Sequence, residues 1–373
     1  MKAARYYAPR DIRIEEIPLP SPSPEQVLVA VEWCGICGTD MNEYLVGPIA
    51  IRSPQRGPHP LTQETLPVTM GHEISGRIIQ APSTSRFTPG QKVVIDPRLY
   101  CSSCMPCSKS ATNCCRSVGF IGISGGGGGL ASTVAVSPAS VHVLPDDVDL
   151  ATAALIEPSA VAWHAVRLSG LHSNDQESDL HVKSTPILIV GGGPVGLAVA
   201  FVLRARGAER VVVSEPAAKR REAFLGLVQT VLDPTSEDVV SRCREVSSDG
   251  EGVGMVFDCA GAQPGMDAAC QALRFAGKYV NLAVAKVPIT IPVLQFLLKE
   301  LTYKASLAYD ERDFQEVVAA FVAGQLTGIE RMITRKVRLE EIVEKGFEEL
   351  ANPNDHIKVM ATPKGEREGI RRD

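Results

Sequence analysis

Apolar and polar positions divide the chain into three stretches with different periodicities. Residues 1–160 contain short runs rich in β-branched residues, such as Gln26–Glu32 and Gly90–Ile95, which are separated by proline and glycine. Short runs with this punctuation predict a β-rich, partly barrel-like domain.

Residues 161–305 alternate between strand-like and helix-like patterns. The predicted strands are 186–190, 210–214, 255–258 and 278–282, and a helix is predicted over 194–206. Such alternation predicts a parallel sheet whose crossover connections are helices. The fold class is therefore α/β, with a doubly wound parallel sheet joined to the β-rich domain.

Residues 306–373 are predicted to return to the β-rich domain. Helical periodicity covers 313–323 and 339–350, and 356–361 has the pattern of a last strand. The polar stretch 173–184 instead predicts a surface loop.

Bulk composition agrees with a packed protein of two domains. The chain has 373 residues, of which 45% are hydrophobic and 22% charged, so a membrane channel and a disordered chain are both disfavoured. Its 38 basic and 43 acidic residues give a formal net charge of -5, so the bulk charge does not favour binding to nucleic acid or to an anionic membrane. We therefore expect a small-molecule partner.

The first residues lack the apolar core of a signal peptide, so we expect a cytoplasmic protein. The uncharged stretch 187–203 is long enough to suggest a membrane span, but it contains three consecutive glycines and a proline, at 191–194, between strand and helix signals. A buried strand and helix is the favoured interpretation.

Four of the ten cysteines form a cluster with the spacing of a metal site. Cys101, Cys104, Cys107 and Cys115 follow the pattern C-x2-C-x2-C-x7-C in a segment with no strong regular structure. Four thiolates can fill every position around a tetrahedral Zn²⁺ and so organise such a loop. The spacing predicts a structural zinc site. Cys114 is an alternative to Cys115, and a chance cluster of buried or redox-active cysteines is the alternative interpretation.

A second set of residues has the donor types of a reactive metal site. Cys37 lies between glycines, His72 and Glu73 are adjacent, and Glu157 precedes a proline. One thiolate, one imidazole and one or two carboxylates can hold zinc with an open position, which is typical of catalytic zinc. Each residue is weak evidence alone, but together they favour a catalytic site.

Several segments of the chain match the motifs of a known family. They are Cys34–Asp40, His59–Thr62, Met70–Gly76, Gly119–Gly122, Glu157–Val166, Glu344–Leu350 and His356–Val359. With these segments the chain resembles the zinc-containing medium-chain alcohol dehydrogenases over nearly its whole length. The resemblance is strongest to the 2,3-butanediol dehydrogenase group, and next to the sorbitol dehydrogenases.

The resemblance implies a GroES-like catalytic domain with a catalytic zinc held by Cys37, His72 and Glu157. It also implies that Glu73 is a fourth or exchanging ligand, and that Thr39 hydrogen-bonds the substrate oxygen and begins a proton relay. In such a site zinc acts as a Lewis acid on that oxygen. Because relatives are usually dimers or tetramers, a homodimer or homotetramer is expected.

The chain departs from the family pattern at two places. Asn42 stands where relatives often have a histidine, and an amide cannot carry a proton at neutral pH. We therefore expect the proton to pass from Thr39 and the cofactor ribose to water, with Glu43 as a candidate helper. Ala131–Thr133 also replaces an acidic and an aromatic residue, so the substrate loop is expected to differ.

A glycine motif predicts the dinucleotide site of a Rossmann domain. A predicted strand is followed by G-x-G-x-x-G and an apolar helix. Gly191 allows the tight turn, Gly193 lets the backbone approach the pyrophosphate, and Gly196 lets helix and strand pack closely. Pro194 and Val195 begin the helix, whose free N–H groups face the phosphates.

An acidic residue follows this motif at the spacing that recognises ribose. Glu215, after the strand 210–214, can accept both ribose hydroxyls and repel a 2′-phosphate, so NAD is favoured over NADP. The basic residues 219–221 could soften that repulsion, although a solvated helix face is the favoured interpretation. Asp258 is expected near the nicotinamide by resemblance, with simple turn chemistry as the alternative.

These features favour a zinc-dependent, NAD-linked dehydrogenase of a secondary alcohol, such as the vicinal diol and acyloin pair 2,3-butanediol and acetoin. A polyol dehydrogenase, or one acting on a larger secondary alcohol, is the alternative enzyme. A non-catalytic protein that binds NAD and zinc is the alternative from another class, although no predicted ligand is missing. The run Gly125–Gly129 is interpreted as a flexible or tightly turning loop, which either borders the substrate pocket or only turns.

Overall fold

The computed structural model describes residues 1–171, 176–352 and 356–363. Its strands, in chain order, are β1 Lys2–Ala8, β2 Asp11–Glu16, β3 Val27–Gly35, β4 Val68–Thr69, β5 Glu73–Gln80, β6 Lys92–Ile95, β7 Arg98–Leu99, β8 Gly119–Phe120, β9 Thr133–Val136, β10 Val141–Val143, β11 Ile187–Val190, β12 Val211–Ser214, β13 Thr230–Leu232, β14 Val253–Asp258, β15 Leu273–Asn281, β16 Thr302–Ala305, β17 Ile333–Arg338 and β18 Lys358–Thr362.

The α-helices, in chain order, are α1 Gly38–Val46, α2 Met105–Ser108, α3 Leu150–Ala153, α4 Ile156–Ser169, α5 Gln176–Ser184, α6 Pro194–Ala205, α7 Ala218–Glu222, α8 Val239–Val246, α9 Gln263–Ala272, α10 Val293–Lys299, α11 Glu311–Val322 and α12 Glu349–Ala351. Short 3-10 helices span Pro54–Arg56, Thr112–Cys114, Pro138–Ser140, Ile329–Met332 and Leu339–Glu341, and a π-helix spans Val343–Glu348.

Contacts within the chain divide it into two compact units. The first comprises Met1–Glu157, Asp310–Gly324 and Ile333–Asp373, and the second comprises Pro158–Tyr309 and Gln325–Met332. The divisions expected at 160 and 305 thus lie at 157 and 309, and 325–332 belongs to the second unit.

The larger sheet of the first unit has the order β10-β6-β5-β3-β18-β17, and β9 also pairs with β3. Its central strand β3 alternates fully buried residues, such as Val27 and Val29, with partly exposed ones, which is the pattern of a strand with one face on the core. β3 is antiparallel to β5 and β18, so that Gly35 lies opposite both Glu73 and Met360. This register places residues from both ends of the chain side by side.

The second unit contains a six-stranded parallel sheet with the order β13-β12-β11-β14-β15-β16. This is the strand order of a Rossmann fold, with the order reversing between β11 and β14. Every residue of β11 and β12 is buried, as expected for strands covered on both faces. The predicted α/β class, with a doubly wound parallel sheet beside a β-rich domain, is confirmed.

Most predicted elements correspond to observed ones. The strands predicted at 186–190, 210–214, 255–258 and 278–282 and the helix at 194–206 are β11, β12, β14, β15 and α6. The apolar stretch 187–203 therefore forms a buried strand followed by a buried helix. Within the described residues, no helix is long and apolar enough to cross a membrane.

Two local predictions are wrong. The predicted loop over 173–184 is occupied from residue 176 by α5, since a polar composition, which predicts a loop, does not exclude a surface helix; residues 173–175 lie outside the described part. The predicted helix over 339–350 consists of a 3-10 turn, the π-helix and α12. Gly346 lies at the centre of the π-helix, and a Cβ there would meet Ile36 at 2.8 Å, so close packing accompanies the irregular winding.

Candidate active site and cofactor site

Cys37 lies at the N-terminus of α1, directly after β3. It is the N-cap residue of that helix, and its backbone N–H donates to Asp40 Oδ2 at 2.9 Å. The free N–H groups and the dipole of a helix N-terminus stabilise a thiolate. The half-buried Cys37 sulfur also lies 3.8 Å from Oγ1 of the exposed Thr39. The structure therefore brings the predicted metal thiolate and the predicted relay hydroxyl together.

His72 is buried and faces the other oxygen of Asp40. Its Nδ1 lies 3.5 Å from Asp40 Oδ1, and neither atom has a hydrogen-bond partner among the described residues. Burial is the largest influence on the pKa of His72 and lowers it, but Asp40 and Cys37 together raise this pKa well above its usual value. The surroundings of His72 thus attract positive charge.

Glu73 is the first residue of β5 and forms a buried ion pair with Lys358 on β18. Lys358 Nζ donates to Glu73 Oε1 at 2.6 Å and to the carbonyl oxygen of Ile36 at 3.1 Å. The other carboxylate oxygen of Glu73, Oε2, is buried and has no hydrogen-bond partner in the described part of the chain. One oxygen of Glu73 is therefore held by Lys358, and the other is a buried acceptor without a donor among the described residues.

Glu157 is the second residue of α4 and is buried. Burial lowers the pKa of Lys358, but Glu73, Cys37 and Glu157 oppose it and raise this pKa above its usual value. Glu157 is thus close enough to the ammonium group to act on it together with Cys37 and Glu73. The sequence-predicted ligands share one region of the first unit.

The donor set of this region fits a divalent cation. The carboxylates of Glu73 and Glu157 and the thiol of Cys37 all act on the Lys358 ammonium, and the imidazole of His72 faces Asp40. Thiolate, imidazole and carboxylate are the donor types that zinc binds in proteins. Among the described residues, however, the predicted ligands do not have their ligand atoms all within 4.8 Å of one another, as the cysteine quartet does.

The quartet Cys101, Cys104, Cys107 and Cys115 has the geometry of a tetrahedral thiolate site. All four sulfurs lie within 4.8 Å of one another. The sulfur of Cys104 is 3.5 Å from Cys107 and 3.8 Å from Cys115, which is 3.5 Å from Cys101. Sulfurs at about 2.3 Å from a tetrahedral zinc are about 3.8 Å apart, so the spacing fits.

Electrostatics and exposure within the quartet also fit a metal. Hydrogen bonds from Ser103 lower the pKa of Cys101 to about 5, whereas burial raises that of Cys107 to about 12. Four such close thiols cannot all ionise without a cation among them. Cys115 is buried and accepts the backbone N–H of Cys101 at 3.3 Å, while its neighbour Cys114 is exposed.

The glycine motif forms the turn between β11 and α6. Gly191 has a φ of 94°, and a Cβ at Gly196 would lie 1.9 Å from the carbonyl oxygen of Gly191, so only glycine allows this close packing. A Cβ at Gly193 would meet nothing within 4 Å, which leaves its outer side open to a ligand. Gly193, Pro194 and Val195 are half-buried at the free end of the helix. This is the geometry that binds a pyrophosphate.

Glu215 follows β12 beside this turn and is buried. Its Oε2 accepts the backbone N–H of Gly192 at 2.6 Å, and its Oε1 accepts that of Ala217 at 2.8 Å. Each carboxylate oxygen keeps a second lone pair for a ribose hydroxyl. Arg221 pairs with Asp233 at 2.9 Å and donates to the carbonyl oxygen of Glu215, so its guanidinium is engaged within the fold.

Asp258 ends β14, and its carboxylate is engaged within the second unit. Oδ1 accepts the backbone N–H groups of Ala260 and Gly261, both at 3.0 Å, and Oδ2 accepts the Tyr279 hydroxyl at 2.6 Å. These bonds favour the turn interpretation over direct contact with the cofactor. Asp258, Gly261 and Asn281 nevertheless line a pocket of about 490 Å³ in the region where β14 and β15 end, where Rossmann folds bind ligands.

Three residues were not predicted from the sequence. Asp40 and Lys358 contact the predicted metal ligands His72 and Glu73, and Tyr279 donates to Asp258. Glu43 was predicted as a candidate helper of the proton relay, but both Glu43 oxygens accept backbone N–H groups of residues 49–51, at 2.5 to 3.4 Å. Glu43 therefore holds a loop. Of the three residues that were not predicted, only Lys358 had a signal in the sequence, because it is a lysine between apolar residues of the predicted strand 356–361.

Comparison with known proteins identifies the family. The model of the alcohol dehydrogenase GroES-like domain matches residues 23–146, and that of the zinc-binding dehydrogenase matches residues 194–323. The (R,R)-butanediol dehydrogenase of Neisseria gonorrhoeae is 36% identical over 97% of this chain and 99% of its own. The enzyme of that name from Saccharomyces cerevisiae is 33% identical over 97% and 98%.

Among solved structures, the crystal structure of 2R,3R-butanediol dehydrogenase from Bacillus subtilis superposes with a TM-score of 0.87. It is 34% identical and covers 97% of this chain and 99% of its own. The chain belongs to the zinc-binding alcohol dehydrogenase family. The predicted resemblance, the GroES-like domain and the class of alcohol oxidoreductase are thereby confirmed.

Proposed function

We propose that the protein catalyses the reversible, NAD-dependent oxidation of a vicinal diol to an acyloin, as in the pair 2,3-butanediol and acetoin. The observation that carries this proposal is the similarity, over 97% of the chain, to enzymes named (R,R)-butanediol dehydrogenase. Two further features support it: the first unit contains Cys37, His72, Glu73 and Glu157, and the second contains the glycine motif of a Rossmann fold.

In this proposal Cys37, His72 and Glu157 hold the catalytic zinc, with Glu73 as a fourth or exchanging ligand. When bound, zinc supplies Lewis acidity toward the alcohol oxygen and NAD supplies the hydride acceptor. Asp40 Oδ1 lies 3.5 Å from Nδ1 of His72 and, in this proposal, orients the ring toward the metal. Lys358 holds one oxygen of Glu73 and leaves the other toward the metal.

Proton transfer is assigned to Thr39. Its hydroxyl is exposed at the first turn of α1, next to Cys37, where it can accept the alcohol proton at Oγ1 and release its own proton toward water. A bound cofactor would offer its ribose hydroxyls as further carriers. Asn42 cannot take part as an acid or base, and Glu43 is bound to its loop. The relay therefore ends in solvent.

We propose that NAD is preferred over NADP because the buried Glu215 would face a 2′-phosphate and Arg221 is engaged with Asp233. Glu215→Ala is expected to lower kcat/KM for NAD⁺ by about 10- to 100-fold, as for a lost charged hydrogen bond, and to raise the NADP⁺ to NAD⁺ ratio. Lys219→Ala, on the exposed face of α7, is the control. An unchanged ratio in Glu215→Ala would contradict this role.

The proposed assembly is a homodimer or homotetramer with a second copy on the β16 edge. All four residues of β16 are exposed, and the adjacent α10 exposes Val293, Leu294, Leu297 and Leu298. An edge strand is complementary to itself when two copies meet antiparallel about a two-fold axis. Light scattering should give a dimer or tetramer that Leu297→Glu dissociates. A monomeric wild type would contradict the proposal.

The proposed location is the cytoplasm. All ten cysteines are free thiols, and thiolate clusters of this kind persist in reducing compartments. A fluorescent fusion that follows an organelle marker instead would contradict this location.

The substrate is tested by NADH formation from (R,R)-, (S,S)- and meso-2,3-butanediol, sorbitol and larger secondary alcohols, with zinc-loaded protein. The proposal predicts the highest kcat/KM for a butanediol stereoisomer. A higher value for sorbitol or a larger alcohol would favour the alternative enzymes. No turnover with two zincs bound would favour a non-catalytic protein.

A further inference from the structure

The five consecutive glycines belong to a loop with a defined conformation. We call residues 119–130 the glycine loop. Gly125, Gly126 and Gly127 have φ values of 88°, 74° and 85°, a left-handed backbone that turns the chain back on itself. The N–H of Gly122 donates to the carbonyl oxygen of Gly127 at 2.9 Å and closes the turn. The run is therefore a fixed tight turn.

One side of the glycine loop is anchored to residues 59–64. The hydroxyl of Thr62 donates to the carbonyl oxygen of Ser124 at 2.5 Å, and Glu64 Oε1 accepts the N–H of Gly126 at 2.9 Å. These two hydrogen bonds attach Ser124 and Gly126 of the glycine loop to residues 62 and 64.

The other side lies directly on the segment that leads to His72. The N–H of Gly129 donates to the carbonyl oxygen of Gly71 at 2.8 Å. A Cβ at Gly128 would lie 2.4 Å from the carbonyl oxygen of Thr69, and one at Gly122 would lie 2.1 Å from that of Gly71. Real Cβ atoms do not approach oxygen so closely. Gly122 and Gly128 are thus needed for the backbones to touch here.

The glycine loop also contacts the metal-site residues from two further directions. A Cβ at Gly129 would lie 2.6 Å from the sulfur of Cys34, three residues before Cys37. The ring of Phe120 is tilted against the ring of His72, with 6.1 Å between their centroids. The loop therefore packs on the side chain of Cys34, near one predicted ligand, and on the ring of the other, His72.

We propose that Gly122, Gly128 and Gly129 are positioning residues, which set the backbone of His72 and so the geometry of the catalytic metal site. This inference rests on the proposed function, because it requires a metal at His72. Groups that orient a metal ligand contribute about 10- to 100-fold to metal affinity. The glycine loop acts in this way through backbone contact.

The test compares Gly128→Ala with the control Gly126→Asn. The φ of Gly128 lies outside the left-handed region, so alanine can adopt it, and the only new feature is the clash with Thr69 and Met70. At Gly126 a Cβ meets nothing closer than 3.7 Å, and asparagine tolerates its positive φ. The readouts are zinc per chain, zinc affinity, and the visible spectrum of the protein with Co²⁺ in the catalytic site.

Gly128→Ala is expected to keep the quartet zinc, to bind the second zinc about 10- to 100-fold more weakly, and to change the Co²⁺ spectrum. Gly126→Asn should match the wild type. Wild-type affinity and spectrum in Gly128→Ala would overturn the inference alone. A wild type that binds zinc only at the quartet would overturn the proposed function itself.

A second variant covers the case in which Gly128→Ala does not fold. Thr62→Val removes the hydrogen bond to Ser124 without touching residues 69–71. Thr62→Val is expected to shift the Co²⁺ spectrum in the same direction as Gly128→Ala, but by less. An unshifted spectrum with unchanged zinc affinity would overturn the inference.

Discussion

Lys358 and Glu73 form a fully buried ion pair across the end of β3, with 2.6 Å between Nζ and Oε1, although 285 residues separate them in the chain. β18 and β5 flank β3, so the two side chains meet over Gly35 and Ile36. Because Cys37 directly follows Ile36, this pair lies next to the candidate metal site.

Lys358→Met should lower the free energy of unfolding of the first unit by about 3 to 5 kcal/mol, because it leaves the Glu73 carboxylate buried without its cation. The measurement is a urea titration of protein that carries zinc at the cysteine quartet only, so that no second metal ion compensates the charge of Glu73. Lys358→Met with Glu73→Gln removes both charges and should recover most of the loss. Equal destabilisation in the single and double variants would contradict a charge-pair role.

Gly35→Ala should disrupt the same pair by sterics. Its Cβ would lie 1.8 Å from Glu73 Oε2, so the carboxylate must move, and overpacking of this kind costs about 1 to 3 kcal/mol. Gly38→Ala is the matched control, because a Cβ there meets nothing within 4 Å. We expect a lower melting temperature for the first variant only. A similar melting temperature for both would refute the close approach.

The assignment of Cys115 rather than Cys114 to the quartet can be tested by a pair of neighbouring substitutions. Cys115→Ser should remove one zinc per chain and lower the melting temperature, because the loop has little core of its own. Cys114→Ser should keep the full zinc content, since that side chain is exposed. The measurement is the zinc content of each variant after dialysis. Loss of one zinc in Cys114→Ser, with full zinc content in Cys115→Ser, would reverse the assignment.

Tyr279 predicts an alkaline pH dependence of stability in the second unit. Burial, and then the Asp258 carboxylate, raise the pKa of Tyr279 above its usual value of 10. The folded state therefore holds this proton more tightly than the unfolded state. The stabilisation is fully present below about pH 10 and is lost as the pH rises further, by about 1.4 kcal/mol per pH unit.

Tyr279→Phe removes both the hydrogen bond to Asp258 and this titration. The free energy of unfolding of the variant should be lower than that of the wild type by about 1.5 to 3 kcal/mol at pH 8, the value for a bond to a charged group. The difference should shrink between pH 10 and 11. Denaturant titrations at each pH measure it, and a constant difference would rule out the proposed linkage.

The sequence predicts best those features in which interacting residues are near each other in the chain. The glycine motif from Gly191 to Gly196 and the quartet from Cys101 to Cys115 each lie within about 15 residues, so spacing alone constrains their geometry. The alternation of strand and helix patterns over residues 161–305 likewise predicts the parallel sheet.

Features that depend on pairing between distant strands could not be predicted in this way. Lys358 reaches Glu73 only because β18 and β5 flank β3, and nothing local to residue 358 specifies that register. The role of Glu43 was misjudged for a related reason, because its partners are backbone N–H groups that carry no sequence signal. The contacts of Gly128 and Gly129 with residues 69–71 are likewise made by backbone.

The most direct test of the account measures bound zinc and NADH formation from (R,R)-2,3-butanediol in the wild type, Cys37→Ser and the control Cys114→Ser. The account predicts two zincs per chain and turnover in the wild type and the control. Cys37→Ser should keep one zinc and lose turnover. Two zincs with wild-type turnover in Cys37→Ser would contradict the catalytic site proposed at Cys37, His72 and Glu157.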